Sequence, residues 1–126
     1  MGYNKGHKEF HRIDMKDGWH TPAGYPSGIQ QKIIAGDLDE KAGRGNRTRL
    51  LRFTPGTFTT KPFVHDYWEE VFLVSGDLIV GNDEKGQGGE KFQGPTYAVR
   101  RPAVYHGPFK SDTGCVLLET HYYAEV

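Results

Sequence analysis

The chain has 126 residues, the size of one domain built on one modest core. Its 16 acidic and 16 basic residues cancel to a formal net charge of zero, which excludes a broad electrostatic pull toward nucleic acid or an acidic membrane. The 17 Gly and 7 Pro, set among many Tyr, Phe, Val, Thr and Ile, favour turns and short strands over long helices.

Residues 1–28 are polar and broken by Gly and Pro, and read as an irregular N-terminal arm laid over residues 29–126 or over a partner subunit. The first ten residues hold no apolar signal-peptide core. Gln30–Ala35 is the first strand candidate. Asp37–Asn46 is charged and Gly-rich and reads as a loop, with room for one helical turn at 38–42. Thr48–Phe53 reads as a strand and Thr54-Pro55-Gly56-Thr57 as a turn.

Phe63–Tyr67 and Glu70–Ser75 are the next strand candidates, with Gly76-Asp77 turning the chain into Leu78–Val80 as a hairpin. Asn82–Gly89 is a polar loop, and Tyr97–Arg101 and Cys115–Tyr123 are the last strands. The apolar runs, such as Val71–Val74, are far too short to cross a bilayer. Short strands at this spacing predict an all-β sandwich or barrel. Cys115 is the single cysteine and permits no intrachain disulfide; with no export signal, this predicts a cytoplasmic protein.

The chemistry gathers around His65 and His106. His65 precedes Glu69 and Glu70 by four and five residues, and His106 lies in Arg101-Pro102-Ala103-Val104-Tyr105-His106-Gly107-Pro108. Two imidazoles and one carboxylate form a ligand set for Fe, Mn, Ni or Zn. His121 is expected at the surface or an interface, and Cys115 as a buried inert thiol.

Gly56–Gly76 resembles the first motif of the cupin superfamily, a Gly, then His-x-His, then a Glu, six intervening residues and a closing Gly. Counting back from Gly76 gives Glu69, and four positions earlier His65 takes the place of the second histidine. Phe63 takes the place of the first. An alternative register makes His65 the first histidine, Tyr67 the second and Glu70 the acid. Gly94–Lys110 resembles the second motif, with His106 as its histidine and Arg101 and Ala103 in place of its Pro and Gly.

The resemblance implies a single-domain RmlC-like cupin, a double-stranded β-helix or jelly-roll barrel, over residues 29–126. It implies a divalent metal on His65, Glu69 and His106, with Glu70 as the alternative acid. Phe63, Tyr67, Arg101 and Tyr105 would line a substrate pocket, with Trp68 near its mouth. Arg101 would balance the substrate's charge or else stand solvated on the outer face. The implied activity is a metal-dependent dioxygenase, isomerase or lyase acting on a small oxygenated molecule. The alternative is a non-catalytic binding module with a degenerate metal site. The expected partners are a small-molecule substrate and a second copy in a homodimer, with neither nucleic acid nor membrane.

Overall fold

A computed structural model describes residues 4–124. The first three residues of the N-terminal arm lie outside the described residues, as do the last two residues of the barrel range. Seven strands make up the fold: β1 (Ile29–Asp39), β2 (Arg44–Phe53), β3 (Trp68–Val80), β4 (Glu90–Gln93), β5 (Thr96–Arg100), β6 (Phe109–Lys110) and β7 (Cys115–Tyr122). All pair antiparallel, in the order β1-β2-β7-β3-β4, with β5 and β6 also on β3. No helix occurs among the described residues.

Side chains alternate across these strands with the period of two that a pleated strand imposes. Ile29, Leu51, Phe53, Val71, Leu73, Leu78, Cys115 and Leu117 point inward and form the core. Cys115 is buried there, and burial pushes its thiol up to about 11, so it is inert at neutral pH.

Four expectations from the sequence need correction. The charged stretch 37–46 is not a loop with a helical turn. It is the tip of a long β1–β2 hairpin, where the Asp39 carboxylate accepts from the Ala42 amide at 3.0 Å. Residues 63–67 are not a strand; they hold only the single bridge Phe63–His106.

Gly76-Asp77 does not reverse the chain, because β3 runs unbroken through it. The first half of β3 pairs with β5 and β7 in one sheet, and Asp77–Val80 pairs with β4 and β6 in the other. A bulge between Leu73 and Ser75 and a left-handed Gly76 (φ 83°) turn the corner between them. A Cβ at Gly76 would stand 2.0 Å from the Gly114 carbonyl oxygen, so only Gly fits there. Turn and bulge glycines look alike in sequence. Strands β4 and β6 are too short and too polar in pattern to have been read as strands at all.

The arm lies on its own barrel. His20 and Gln31 exchange two backbone hydrogen bonds, and Lys8 Nζ donates to the Ile34 carbonyl at 2.7 Å. The Arg52 guanidinium sits over the Trp19 ring at 4.1 Å. The outer surface also carries exposed Phe72, Val74, Val99 and Leu118 on β3, β5 and β7.

Candidate metal centre

The site is assembled where two loops meet β3. The Phe63 and His106 backbones bond each other twice, at 2.7 and 2.9 Å, and the Ala103 amide donates to the His65 carbonyl at 2.8 Å. These bonds draw the segment before β3 against the segment after β5. Glu69, second residue of β3, faces inward between them and is buried.

His65 Nε2 lies 3.9 Å from Glu69 Oε2, and His106 Nε2 lies 3.6 Å from Glu69 Oε1. The two imidazole rings are 5.0 Å apart. Burial holds His65 down to about 4, with Glu69 pulling the other way, and burial also lowers His106. Both rings are therefore uncharged at neutral pH and keep a nitrogen lone pair. His106 Nδ1 lies 3.3 Å from the Val104 carbonyl, which only accepts, so its lone pair is on Nε2, facing Glu69. Tyr67 is buried and stacks on His65 at 4.6 Å, fixing that ring from behind.

Behind Glu69 stands a second set of buried polar groups. His121 is fully buried, not at the surface as expected. Its Nε2 lies 3.0 Å from Glu69 Oε2 and 3.2 Å from Glu119 Oε1. Its Nδ1 faces Arg47 Nε at 3.1 Å and Nη2 at 2.9 Å. A guanidinium has only protons to offer, so Nδ1 accepts and the ring proton sits on Nε2, aimed at the two carboxylates.

Arg49 holds Glu119 through Nε and Nη2, both at 2.8 Å, and Gln31 through Nη1. Burial raises Glu119, but Arg49 outweighs burial and holds the carboxyl well below the usual range. For Glu69, burial and Glu119 push upward; the hydrogen bond from His121 and the attraction of the His121 and His106 rings together more than offset them, and the group stays ionised.

Two groups of three ligand types thus lie close enough to hold an ion: His65, Glu69 and His106, and Glu69, Glu119 and His121. Their donor chemistry separates them. The second is filled by the His121 proton and the Arg49 guanidinium. The first has two uncharged imidazoles beside one carboxylate, with the His106 lone pair turned toward it, which fits a divalent first-row metal.

The other expected site residues fall on both sides of the wall. Phe63 lines the cavity, 6.1 Å from the His106 ring and stacked on Tyr25 at 5.4 Å. Glu70 points away from Glu69 and accepts from Tyr97 and Tyr122, so it is not an alternative ligand. Trp68 stacks on Tyr122 instead of bordering the cavity. Arg101 and Tyr105 do not line the cavity: Arg101 is exposed, and Tyr105 is 71% exposed. Their place is taken by Arg100, which pairs with Glu69 across β5 and β3 and donates to Glu69 Oε1 at 2.7 Å. Sequence reasoning missed Arg49, Arg100, Glu119 and His121. The available signal was strand phase: Glu119 and His121 follow Cys115 and Leu117 at steps of two on the inner face of β7.

The sequence matches no family model and no curated protein. Solved structures do resemble the fold. An RmlC-like cupin from Shewanella frigidimarina superposes with a TM-score of 0.62 at 17% identity, over 94% of each chain. An acetylacetone dioxygenase from Acinetobacter johnsonii gives 0.63 at 19% identity, over 94% of this chain and 78% of that one. KdgF from Halomonas sp. gives 0.65 at 16% identity, over 94% and 96%.

Proposed function

We propose that this chain, which has the cupin jelly-roll fold, holds one divalent first-row metal on His65, Glu69 and His106 and acts as an enzyme on a small oxygenated molecule. The observation that carries this is the convergence of two uncharged imidazoles and one ionised carboxylate in a barrel cavity. Buried groups of this kind are costly unless paired or metal-bound. A bound ion would supply Lewis acidity toward substrate oxygens and, with iron, one-electron chemistry. The chain's own residues do the rest. Phe63, Tyr25 and Phe109 form a stacked aromatic wall that keeps bulk water from the cluster. Arg100 presents a fixed positive charge to an incoming anion, and His121 fixes the direction in which Glu69 points.

The competing reading is a non-catalytic binding module, favoured by Phe63 where the cupin motif carries a ligand. Reconstitution with Fe(II), Mn(II), Ni(II) and Zn(II) separates the two. Diketones, phenols and sugar acids are then screened for oxygen uptake and for products by mass spectrometry; diketones come first because one protein of similar fold is an acetylacetone dioxygenase. Product with at least one metal is expected. Thermal stabilisation by a compound with no product under any metal would leave the binding module.

The homodimer belongs to the same proposal. Phe72, Val74, Val99 and Leu118 form an exposed apolar surface that a second copy would cover by two-fold symmetry. Light scattering at micromolar concentration should return twice the 14.2 kDa chain mass, and Phe72→Lys should return the monomer. A monomeric wild type rejects the dimer.

A further inference from the structure

Two cavities share Arg100 as a wall. The one beside the His/Glu cluster has a volume of about 40 Å³, room for roughly three waters or the head of a ligand. The other, about 250 Å³, lies in the fork that β4 and β5 make as they leave β3 for different sheets. Its walls are apolar, with Leu73, Val80 and Ala98 inside and half-exposed Phe92 at the mouth. Val71, Leu78 and Leu117 line both cavities together with Arg100.

Charge at the junction is unevenly matched once a cation is bound. Arg49 balances Glu119, and Arg100 balances Glu69. A divalent ion on the His65, Glu69 and His106 side chains would leave two positive charges in excess within a buried cluster, and buried excess charge is costly. A ligand carrying negative charge removes that cost, and Arg100, freed from Glu69, has donors to offer it.

We infer that the site takes an amphipathic ligand, with an anionic oxygen-rich head against the metal cluster and Arg100, and an apolar tail in the chamber between β4 and β5. The inference rests on the metal reading proposed above. The first cavity is too small to hold more than the head, and the second offers a tail a mainly apolar wall, with Thr96 and Tyr97 its polar members besides Arg100.

Calorimetric titration of the zinc-loaded protein with linear 2-oxo acids, from pyruvate to 2-oxooctanoate, tests it. Affinity should rise by about four-fold for each methylene that enters the chamber. Ala98→Leu fills part of the chamber, whose volume accommodates the larger side chain; Phe92→Ser opens the mouth to water. Each should cut the ratio of 2-oxooctanoate to pyruvate affinity at least ten-fold. Pyruvate binding with no chain-length dependence overturns the tail chamber and leaves the metal reading standing. Zinc uptake with no binding of any acid overturns the anionic head. Failure to take up zinc overturns the metal reading and this inference with it.

Discussion

Replacing His106 with Ala should abolish stoichiometric metal binding. Wild-type protein purified without a His tag, stripped and reloaded, should hold about one zinc or iron per chain; His106→Ala, His65→Ala and Glu69→Gln should each lower affinity by about 10²-fold or more. The reason is geometric. His65 Nε2 lies 3.9 Å and His106 Nε2 3.6 Å from the same carboxylate, and the backbone bonds between Phe63 and His106 and from Ala103 to His65 hold both segments in place. Tyr105→Ala is the control, because that ring is exposed and lies outside the cavity. Equal metal content in wild type and the His65→Ala/His106→Ala double mutant would sink the assignment.

Acid provides a second readout. Protons compete with metal for the His65 ring, whose value is held at about 4 instead of 6.5. Metal release through His65 is therefore expected at or below about pH 4, because bound metal further opposes the proton, and so below where an exposed histidine would let go. Phe63→His extends the test. Its backbone bonds to His106 do not involve the side chain, so the variant should fold, and a third imidazole near the cluster should tighten binding at least ten-fold. Unchanged affinity in a folded variant would show that position 63 is not the missing ligand position.

Asp77→Ala should destabilise the fold by about 3 kcal/mol, read as a lower denaturation midpoint in urea. Asp77 is 1% exposed, at the corner where β3 changes sheets. Its carboxylate accepts from the Asp112 amide at 2.9 Å, the Thr113 amide at 2.8 Å, and the Ser111 and Thr113 hydroxyls. Removing it takes the acceptor from two amides and the Thr113 hydroxyl, while the Ser111 hydroxyl keeps the Asp77 carbonyl at 2.7 Å. A loss under about 1 kcal/mol would mean that the loop finds other partners.

The same carboxylate makes stability depend on acid. Burial raises it, but the hydrogen bonds from Thr113 and Asp112 win and hold it at about 2, below the unperturbed 3.8. Its folded value is depressed, so its contribution is complete above pH 3.8 and disappears as pH falls through about 2. Linkage puts that contribution at about 2 kcal/mol. Asp77→Asn should flatten this part of the acid-unfolding curve.

The barrel was legible because strand chemistry is local. Apolar residues at steps of two in Thr48–Phe53 and Cys115–Tyr123 mark one buried face each, and the structure places strands there. His65, Glu69 and His106 were legible because their spacing resembles two motifs, and the structure brings them into one cluster. Arg100 was missed by one position. The phase of β5 is set by its pairing with β3, Glu69 opposite Arg100, and a five-residue segment does not display that pairing. His121 was missed because a polar residue near the end of a strand reads as exposed. Its burial depends on Arg47 and Glu69, 74 and 52 residues away in the chain.

The strand order also dictates when the molecule can take shape. β7 sits between β2 and β3, bonded to both along nearly its whole length. Until Cys115–Tyr122 has left the ribosome, β2 and β3 have no central neighbour, and each exposes an unpaired apolar edge. The edge of β2 stays open from Phe53, and that of β3 from Val80, until synthesis reaches Cys115. Pairings this distant fold slowly and leave edges open to other chains. Chains cut before Cys115 should therefore aggregate instead of forming a smaller barrel, and the metal cluster, whose Glu69 is positioned from β7 by His121, is completed only after that last strand docks.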